Sequence, residues 1–234
     1  MKRVLRIVGI VVAVIVAVAA AGAGYVFSQM GKAQGPRVDA TQALGVLSGI
    51  SYVWLVPTAH GAFLIDAGND GGEALLTALK EKGLTPAQVH TVLLTHGHGD
   101  HLKALAVLPA AKVYAGPGEA GMLEDLHLGD RLKEAADGAV LDLDGTSVRA
   151  IHIPGHTPGS MAYLMGDLLF TGDSLMFRKG RLQLGPTLFT KNVAQNIESL
   201  KKLVDLPFDR IADGHVGLTR DAKRQLKEFL ASPE

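Results

Sequence analysis

The sequence predicts an α/β domain in which two groups of strands are each followed by helices. Short aliphatic and β-branched runs of strand length recur along the chain, bounded by Gly, Pro and polar residues. Amphipathic segments with a helical period follow each group of these runs. Histidines and aspartates follow the ends of several of these runs. The pattern by itself specifies an α/β domain and not how its sheets pack.

The N-terminal segment predicts a membrane helix ahead of this domain. Basic residues at positions 2, 3 and 6 precede an uncharged apolar run over residues 7–27, which is long enough to cross a bilayer as a helix of about 20 residues. Basic residues before such a run keep the N-terminus in the cytoplasm, so an exported, periplasmic or extracytoplasmic domain is expected. The small residues 19–23 also suit a signal-peptide cleavage site. An anchor over 1–27 and a cleaved signal peptide therefore both remain open.

The first group of elements follows a linker. Residues 28–43 mix Gly, Gln, Lys, Arg and Pro without periodicity and predict the linker, which leaves residues 44–234 as the main domain. Strands are predicted at 50–56, 62–66, 91–94 and 112–115, and helices at 73–80, 85–88 and 102–108. Residues 57–61 predict a hairpin between the first two strands. Thr85 and Gln88 are spaced as a capping box with Pro86 at the first helical position.

The second group begins after a less regular segment, residues 117–138, which lies where an insertion could overhang a site. Strands are predicted at 140–143, 148–153, 161–165, 168–170 and 210–212, and helices at 192–204 and 221–230. Residues 166–167 predict a tight turn between two of these strands.

Composition excludes several classes of protein. The 234 residues suit one domain plus an appendage. The 23 basic and 23 acidic residues balance, so neither nucleic acid nor an acidic polymer is expected as a partner. The absence of cysteine excludes disulfides, thiolate zinc sites and cysteine nucleophiles. We therefore expect a small-molecule substrate.

A histidine cluster directly after the predicted strand 91–94 indicates a metal site. His96, His98, Asp100 and His101 place three imidazoles and one carboxylate within six consecutive positions. These donors suit Zn²⁺ best, with iron or manganese as alternatives. Four donors exceed what one tetrahedral zinc takes from a single loop while a water site stays open, which indicates two metals per chain. The alternative interpretation is a solvated, His-rich turn.

Three further candidate ligands stand at other strand ends: His156, Asp173 and His215. Taken alone they would fit a turn histidine or a helix-capping carboxylate, and only the first cluster favours their assignment as ligands. Asp66 is either a residue that supports a ligand or a structural acceptor at a strand end. The remaining histidines are predicted to be non-catalytic, and they are His60, His90, His127 and His152.

Five motifs, taken together, resemble the metallo-β-lactamase-fold superfamily of metallohydrolases. They are Leu64–Gly68 (L-I-D-A-G), Thr95–His101 (T-H-G-H-G-D-H), Pro154–Ser160 (P-G-H-T-P-G-S), Thr171–Asp173 (T-G-D) and Asp213–His215 (D-G-H). The resemblance covers about residues 50–218. It implies the four-layer αβ/βα sandwich of that fold.

The resemblance also implies roles for the candidate residues. One metal would lie on His96, His98 and His156, and a second on Asp100, His101 and His215, with Asp173 and a water bridging the two. The bridging hydroxide would attack an ester, thioester, lactone or similar carbonyl. Asp100, besides binding metal, would be catalytic, because it could orient the hydroxide and shuttle its proton.

The residue at position 173 distinguishes between branches of the superfamily. Zinc β-lactamases resemble this pattern but carry Cys or Ser there, so Asp173 favours the glyoxalase II, lactonase and esterase branch, with β-lactam hydrolysis at most a minor activity. Glyoxalase II has a helical extension that helps to hold glutathione, whereas this chain ends soon after His215. This difference puts the glutathione substrate in doubt. Arg178, Lys179 and Arg181 form either an anion contact or, more ordinarily, a solvated charge run.

Two other functions remain open. A single iron on the same ligands would give an oxidoreductase similar to the persulfide dioxygenases. A non-enzymatic, membrane-tethered metal-binding protein would need no complete ligand set. Neither 117–138 nor 176–190, the segments expected to shape the pocket, carries a motif that identifies the substrate.

Overall fold

The computed structural model describes residues 12, 15–22, 24–25 and 31–233. Much of the predicted apolar segment 7–27 lies outside these residues, and residues 15–22 within it are helical. In the described part of the chain, no helix combines the length and the apolarity that crossing a membrane requires.

The first sheet has seven strands in sequence order. Their bounds are β1 Arg37–Asp39, β2 Leu44–Ser48, β3 Ser51–Pro57, β4 Ala62–Ile65, β5 Val89–Leu93, β6 Lys112–Ala115 and β7 Leu132–Glu134. Strands β1 to β4 are antiparallel, whereas β4 to β7 are parallel. The sheet is therefore mixed, and the carboxyl end of β5 emerges from its middle.

The second half of the chain forms the other strands. They are β8 Val140–Leu143, β9 Thr146–His152, β10 Met161–Met165, β11 Leu168–Gly172, β12 Met176–Arg178, β13 Arg181–Gln183, β14 Arg210–Asp213 and β15 Leu218–Thr219. Six of them form the second sheet, in the order β15-β14-β11-β10-β9-β8. Strands β12 and β13 form a separate hairpin. Strands β11 and β14 are parallel, so their carboxyl ends lie side by side.

Helices cover the outer face of each sheet. They are α1 Glu73–Glu81, α2 Val193–Leu200 and α3 Ala222–Ala231, all within residues 31–233. Helix α1 buries Leu75, Ala78 and Leu79 at helical spacing against the first sheet. It starts at Gly72, whose φ of 103° suits glycine. Helix α2 is capped by Asn192, whose side chain accepts a hydrogen bond from the Gln195 backbone N–H at 3.0 Å.

The two sheets share an aromatic core. Tyr52, Trp54 and Phe63 from the first sheet pack against Tyr163 and Phe170 from the second. The rings of Trp54 and Phe170 meet edge to face at 6.0 Å. A second cluster lies under α1 and a third under α2 and α3. These layers confirm the predicted four-layer sandwich of two mixed sheets with helices outside.

Some local predictions differ from the structure. Pro86–Gln88 forms one turn of 3-10 helix rather than the start of a longer helix, because the chain enters β5 at Val89. The capping bond exists nonetheless, since Gln88 Oε1 accepts from the Thr85 N–H at 3.0 Å. Within the predicted linker 28–43, β1 pairs with β2. The domain boundaries themselves stay a prediction.

We expect Tyr163→Phe to destabilise the protein by about 1–3 kcal/mol. The Tyr163 hydroxyl donates to the Leu94 carbonyl at 2.9 Å and links β10 to the end of β5 inside the core. Its removal leaves a buried carbonyl without a donor. Urea unfolding of the metal-stripped protein measures the change in unfolding free energy. Tyr114→Phe, at a half-buried ring on β6, is the control and should stay within about 0.5 kcal/mol of wild type.

Candidate metal centre

Four strand ends converge on one edge of the sandwich. The loop after β5 carries His96, His98, Asp100 and His101. The β9–β10 loop, the end of β11 and the end of β14 carry His156, Asp173 and His215 respectively. The structure thus brings together all seven sequence-predicted ligands.

The seven side chains form three overlapping groups of donor atoms, each group lying within 4.8 Å. The groups are His96, His98, His156; His96, His101, Asp173; and Asp100, His101, His215. The first and third share no residue, so they are two separate triads. The second group lies between them, because it joins one histidine of each triad to Asp173.

Asp173 is the residue that links the two triads. Its Oδ2 lies 3.0 Å from His215 Nε2 and 3.9 Å from His156 Nε2. Its Oδ1 lies 3.4 Å from His101 Nε2. The two oxygens therefore face histidines from both sides, as a carboxylate that bridges two cations must.

Hydrogen bonds on the far side of the rings fix how the imidazoles point. His101 Nδ1 donates to Asp66 Oδ2 at 2.9 Å, and His215 Nδ1 donates to the Ile50 carbonyl at 2.6 Å. Nδ1 of each ring is therefore turned away from the cluster, and Nε2 is turned into it, where it can bind a cation once it carries no proton.

Threonine hydroxyls do the same for two more rings. Thr95 Oγ1 donates to Asp66 and so accepts from His96 Nδ1 at 3.1 Å. Thr190 Oγ1 donates to the Pro186 carbonyl at 3.2 Å and so accepts from His156 Nδ1 at 3.1 Å. In both rings Nε2 again faces the cluster. Outer contacts of this kind orient metal-binding histidines.

Asp66 has both of the roles that the sequence left open. Besides its contact with His101, it accepts from the Thr95 backbone N–H and from Thr95 Oγ1, each at 2.7 Å. It is buried at the end of β4 with a φ of 60°. Asp66 therefore both closes the strand end and orients an imidazole.

The cluster fits a divalent cation because some of its polar atoms have no other partner. His96 Nε2, His101 Nε2 and Asp173 Oδ1 are buried and find no hydrogen-bond partner among the described residues. Buried polar atoms normally have partners, and exceptions usually mark function. Imidazole nitrogens with carboxylate oxygens form a donor set that suits zinc.

The protonation pattern of the cluster supports the same interpretation. Burial lowers the pKa of His96 well below its usual value, lowers that of His98, and lowers that of His156 to about 4. These three rings are therefore neutral near pH 7, which is the form that binds metal.

On the other side of the cluster, protonated imidazoles balance the negative charge of the carboxylates. Burial opposes charge on His101, but Asp66 and Asp173 outweigh it and raise the pKa of His101 well above its usual value. The pKa of His215 is raised chiefly because Asp173 outweighs burial. Burial also disfavours a charged Asp173, yet His215 and His101 hold the pKa of Asp173 well below its usual value. A cation bound here would take the place of these protons.

A buried carboxylate that the sequence analysis missed ties the two loops of the first triad together. Glu119 accepts from the Gly97 N–H at 2.5 Å through one oxygen, and from the Gly159 N–H at 2.8 Å and Thr157 Oγ1 at 3.0 Å through the other. A Cβ on Gly159 would lie 2.5 Å from Glu119 Oε2, so glycine is required there. Glu119 belongs to no motif, and its role depends on contacts 22 to 40 residues away.

The sequence assigns no role to Asp213 within the D-G-H motif, and the structure shows what its side chain does. Its Oδ1 accepts from the N–H groups of His215, Val216 and Gly217 at 2.6 to 3.2 Å, and its Oδ2 accepts from Phe177 N–H at 3.0 Å. Asp213 therefore folds the turn that presents His215.

The remaining sequence candidates lie elsewhere. His60 bonds to Asp144 on the surface, and His152 Nε2 lies 3.0 Å from the Pro158 carbonyl. His90 and His127 are exposed. Arg178 is buried and donates to the Leu184 carbonyl at 2.8 Å, so it is not part of a solvated charge run. Lys179 and Arg181 are exposed.

Comparisons with known proteins agree with this architecture. A family model described as the metallo-beta-lactamase superfamily matches residues 47–215. Curated relatives named hydroxyacylglutathione hydrolase, from Aeromonas salmonicida and Aeromonas hydrophila, are 33% and 34% identical over 165 residues. Each match covers 69% of this chain and 59% of the relative, so the chain spans less than two thirds of these proteins.

Solved structures show the same fold. An archaeal metallo-beta-lactamase superfamily protein from Sulfolobus tokodaii superposes with a TM-score of 0.66 at 24% identity, over 84% of this chain and 88% of that one. A family member from Thermus thermophilus gives a TM-score of 0.63 at 23% identity, over 81% and 77% of the two chains.

We expect Glu119→Gln to destabilise the protein by about 1–3 kcal/mol. The amide has one acceptor oxygen, so it leaves at least one of the N–H groups of Gly97 and Gly159 without an acceptor. Urea unfolding of metal-stripped protein measures the change, and zinc titration should show weaker binding. Glu124→Gln, at an exposed position nearby, is the control. An unchanged unfolding free energy for Glu119→Gln would show that the carboxylate does not hold the loops.

Proposed function

The chain belongs to the metallo-beta-lactamase superfamily, and from that premise we propose that it is a metal-dependent hydrolase of a small molecule. The bond cleaved is an ester, thioester, lactone or similar carbonyl linkage. The observation that carries the proposal is the position of Asp173 between two triads of metal-binding donors.

We propose two zinc ions, each held by its own triad and both by Asp173. His96, His98 and His156 hold one ion, and Asp100, His101 and His215 hold the other, with Asp173 shared between them. The separate donor groups, the free Nε2 atoms and the buried Asp173 Oδ1 support this assignment. When bound, the ions would supply Lewis-acid polarisation of the substrate carbonyl and a water with its pKa lowered to about 7.

The chain's own residues supply positioning and proton transfer. Asp100 is the most accessible carboxylate of the cluster, with 22% of its side chain exposed against 6% for Asp173. Its Oδ2 lies 3.4 Å from His215 Nε2, so it can accept a proton at the mouth of the site. The buried rings of His96 and His101 keep bulk water from the cluster floor.

A thioester is the favoured linkage. The curated relatives carry the name hydroxyacylglutathione hydrolase, and the chain has aspartate at position 173, where zinc β-lactamases carry Cys or Ser.

We propose further that the domain is exported. The basic residues at 2, 3 and 6 and the apolar stretch 7–27 support an N-terminus in the cytoplasm and a domain outside it. Cell fractionation tests this: the full chain should be found in the membrane fraction, or in the extracytoplasmic fraction with a shortened N-terminus. Recovery of the uncleaved chain with cytoplasmic markers would contradict the proposal.

We expect wild-type protein to contain two zinc ions per chain and Asp173→Ala to contain one or none. The bridging carboxylate is lost, and kcat/KM on a panel of esters, lactones and thioesters should fall by on the order of 100-fold or more. Elemental analysis and the panel are run together. Asp205→Ala, at an exposed position away from the cluster, should match wild type in both.

Other outcomes select other functions. Loss of one metal with activity intact would refute the two-metal mechanism. One iron per chain with oxygen uptake on glutathione persulfide would indicate an oxidoreductase. Two zinc ions without turnover on any member of the panel would favour a metal-binding protein.

A further inference from the structure

An open cleft of about 380 Å³ lies against one of the two triads. His98 and His156 line its floor, whereas Asp100, His101 and His215 do not line it. Its wall is formed by apolar side chains, namely Met122, Pro158, Leu188 and Phe189. A substrate held in this cleft therefore approaches the site past His98 and His156.

The apolar wall is unusually exposed. Between residues 31 and 233, seven large hydrophobic residues are exposed: Ile50, Leu76, Met122, Leu126, Val140, Leu188 and Phe189. Three of them line this one cleft, with 69% of Leu188, 43% of Phe189 and 40% of Met122 in contact with solvent. Single exposed apolar residues need no explanation, but a concentration of them beside polar catalytic groups marks a ligand site.

The wall is fixed relative to the metal-binding histidine. Thr190 Oγ1 accepts from His156 Nδ1 at 3.1 Å, and the Lys191 N–H donates to the His156 carbonyl at 3.0 Å. The Asn192 N–H donates to the Gly155 carbonyl at 2.8 Å. A group bound against Leu188 and Phe189 is therefore held at a set distance from the reacting centre.

The charge of the cleft limits what it can hold. Apart from its histidines, Lys191 is the one ionisable side chain among the described residues that line it, and no carboxylate of those residues lines it. A substrate with several charged groups would leave most of them unpaired against apolar side chains. A neutral group, or one with a single negative charge, meets no such cost.

We propose that this cleft binds an apolar acyl chain or aryl ring attached to the scissile carbonyl, with at most one negative charge on the group. The inference rests on the proposed hydrolase function and adds the class of substrate. The apolar part lies against Met122, Leu188 and Phe189, and the carbonyl is directed towards the triad of His96, His98 and His156.

A chain-length series tests the proposal. Acetyl, butanoyl, hexanoyl and octanoyl thioesters of N-acetylcysteamine are compared on zinc-loaded wild type. The kcat/KM should rise about fourfold for each added methylene that reaches the wall. In Phe189→Ser the rise should fall below about twofold per methylene. Val140→Ser removes an exposed hydrophobic residue outside the cleft and should keep the wild-type slope.

A binding measurement keeps the test independent of turnover. Anilinonaphthalene sulfonate is apolar with one negative charge, and its fluorescence should rise saturably with wild type and with Val140→Ser. Phe189→Ser should weaken its binding several-fold. If no thioester is hydrolysed but this loss occurs, the hydrolase function fails while the apolar cleft is supported.

Three results would overturn the inference. If turnover by wild type does not depend on chain length, the hydrolase function stands but the cleft is not an apolar subsite. If the probe binds wild type and Phe189→Ser equally, the cleft is likewise not an apolar subsite, and the hydrolase function is unaffected. A changed sedimentation coefficient in Phe189→Ser with an unchanged chain-length slope would identify the patch as a contact between subunits instead.

Discussion

The negative charge of Asp173 is what allows so many nitrogen donors to be buried in one place. Burial penalises every charged form in the cluster, and neighbouring imidazoles repel one another's protons. Asp173 offsets both effects for His215, and Asp66 and Asp173 together offset them for His101; Nε2 of these two rings lies 3.0 and 3.4 Å from the oxygens of Asp173. The opposite triad stays neutral because Asp173 does not overcome burial there. Asp173, with Asp66 behind His101, thus separates the cluster into a protonated side and a neutral side.

The sandwich supplies the rigidity that such a cluster requires. The candidate ligands sit on the edge where strands of both sheets end, and the rings of His101, His156 and His215 are each held from behind by a residue of another segment. His215 depends on the Ile50 carbonyl of the β2–β3 turn, while His101 depends on Asp66 at the end of β4. The aromatic core between the sheets fixes the distance between these segments. A displacement of one of these segments would therefore turn an imidazole away from the cluster.

Much of the fold and most of the cluster could be predicted from sequence, because both depend on local patterns. Strand β6 has the predicted bounds, and the histidines of the β5 loop are adjacent in sequence. The missed features depend on distant contacts. Strand β7 has three residues and pairs with β6 across irregular chain, too short for any periodicity. Glu119 looks like any surface glutamate until the fold brings Gly97 and Gly159 to it.

Because of the hydrogen bond between Thr190 and His156, some changes that alter substrate selectivity will also alter metal affinity. Insertions or deletions between 186 and 191 would move the hydroxyl that holds the imidazole, so a lineage that reshapes the wall by changing loop length would weaken its own metal site. Replacements at Leu188 or Phe189 leave that bond untouched. Natural or engineered diversification of this protein should therefore proceed by exchanging side chains at these two positions while the length of the segment is preserved.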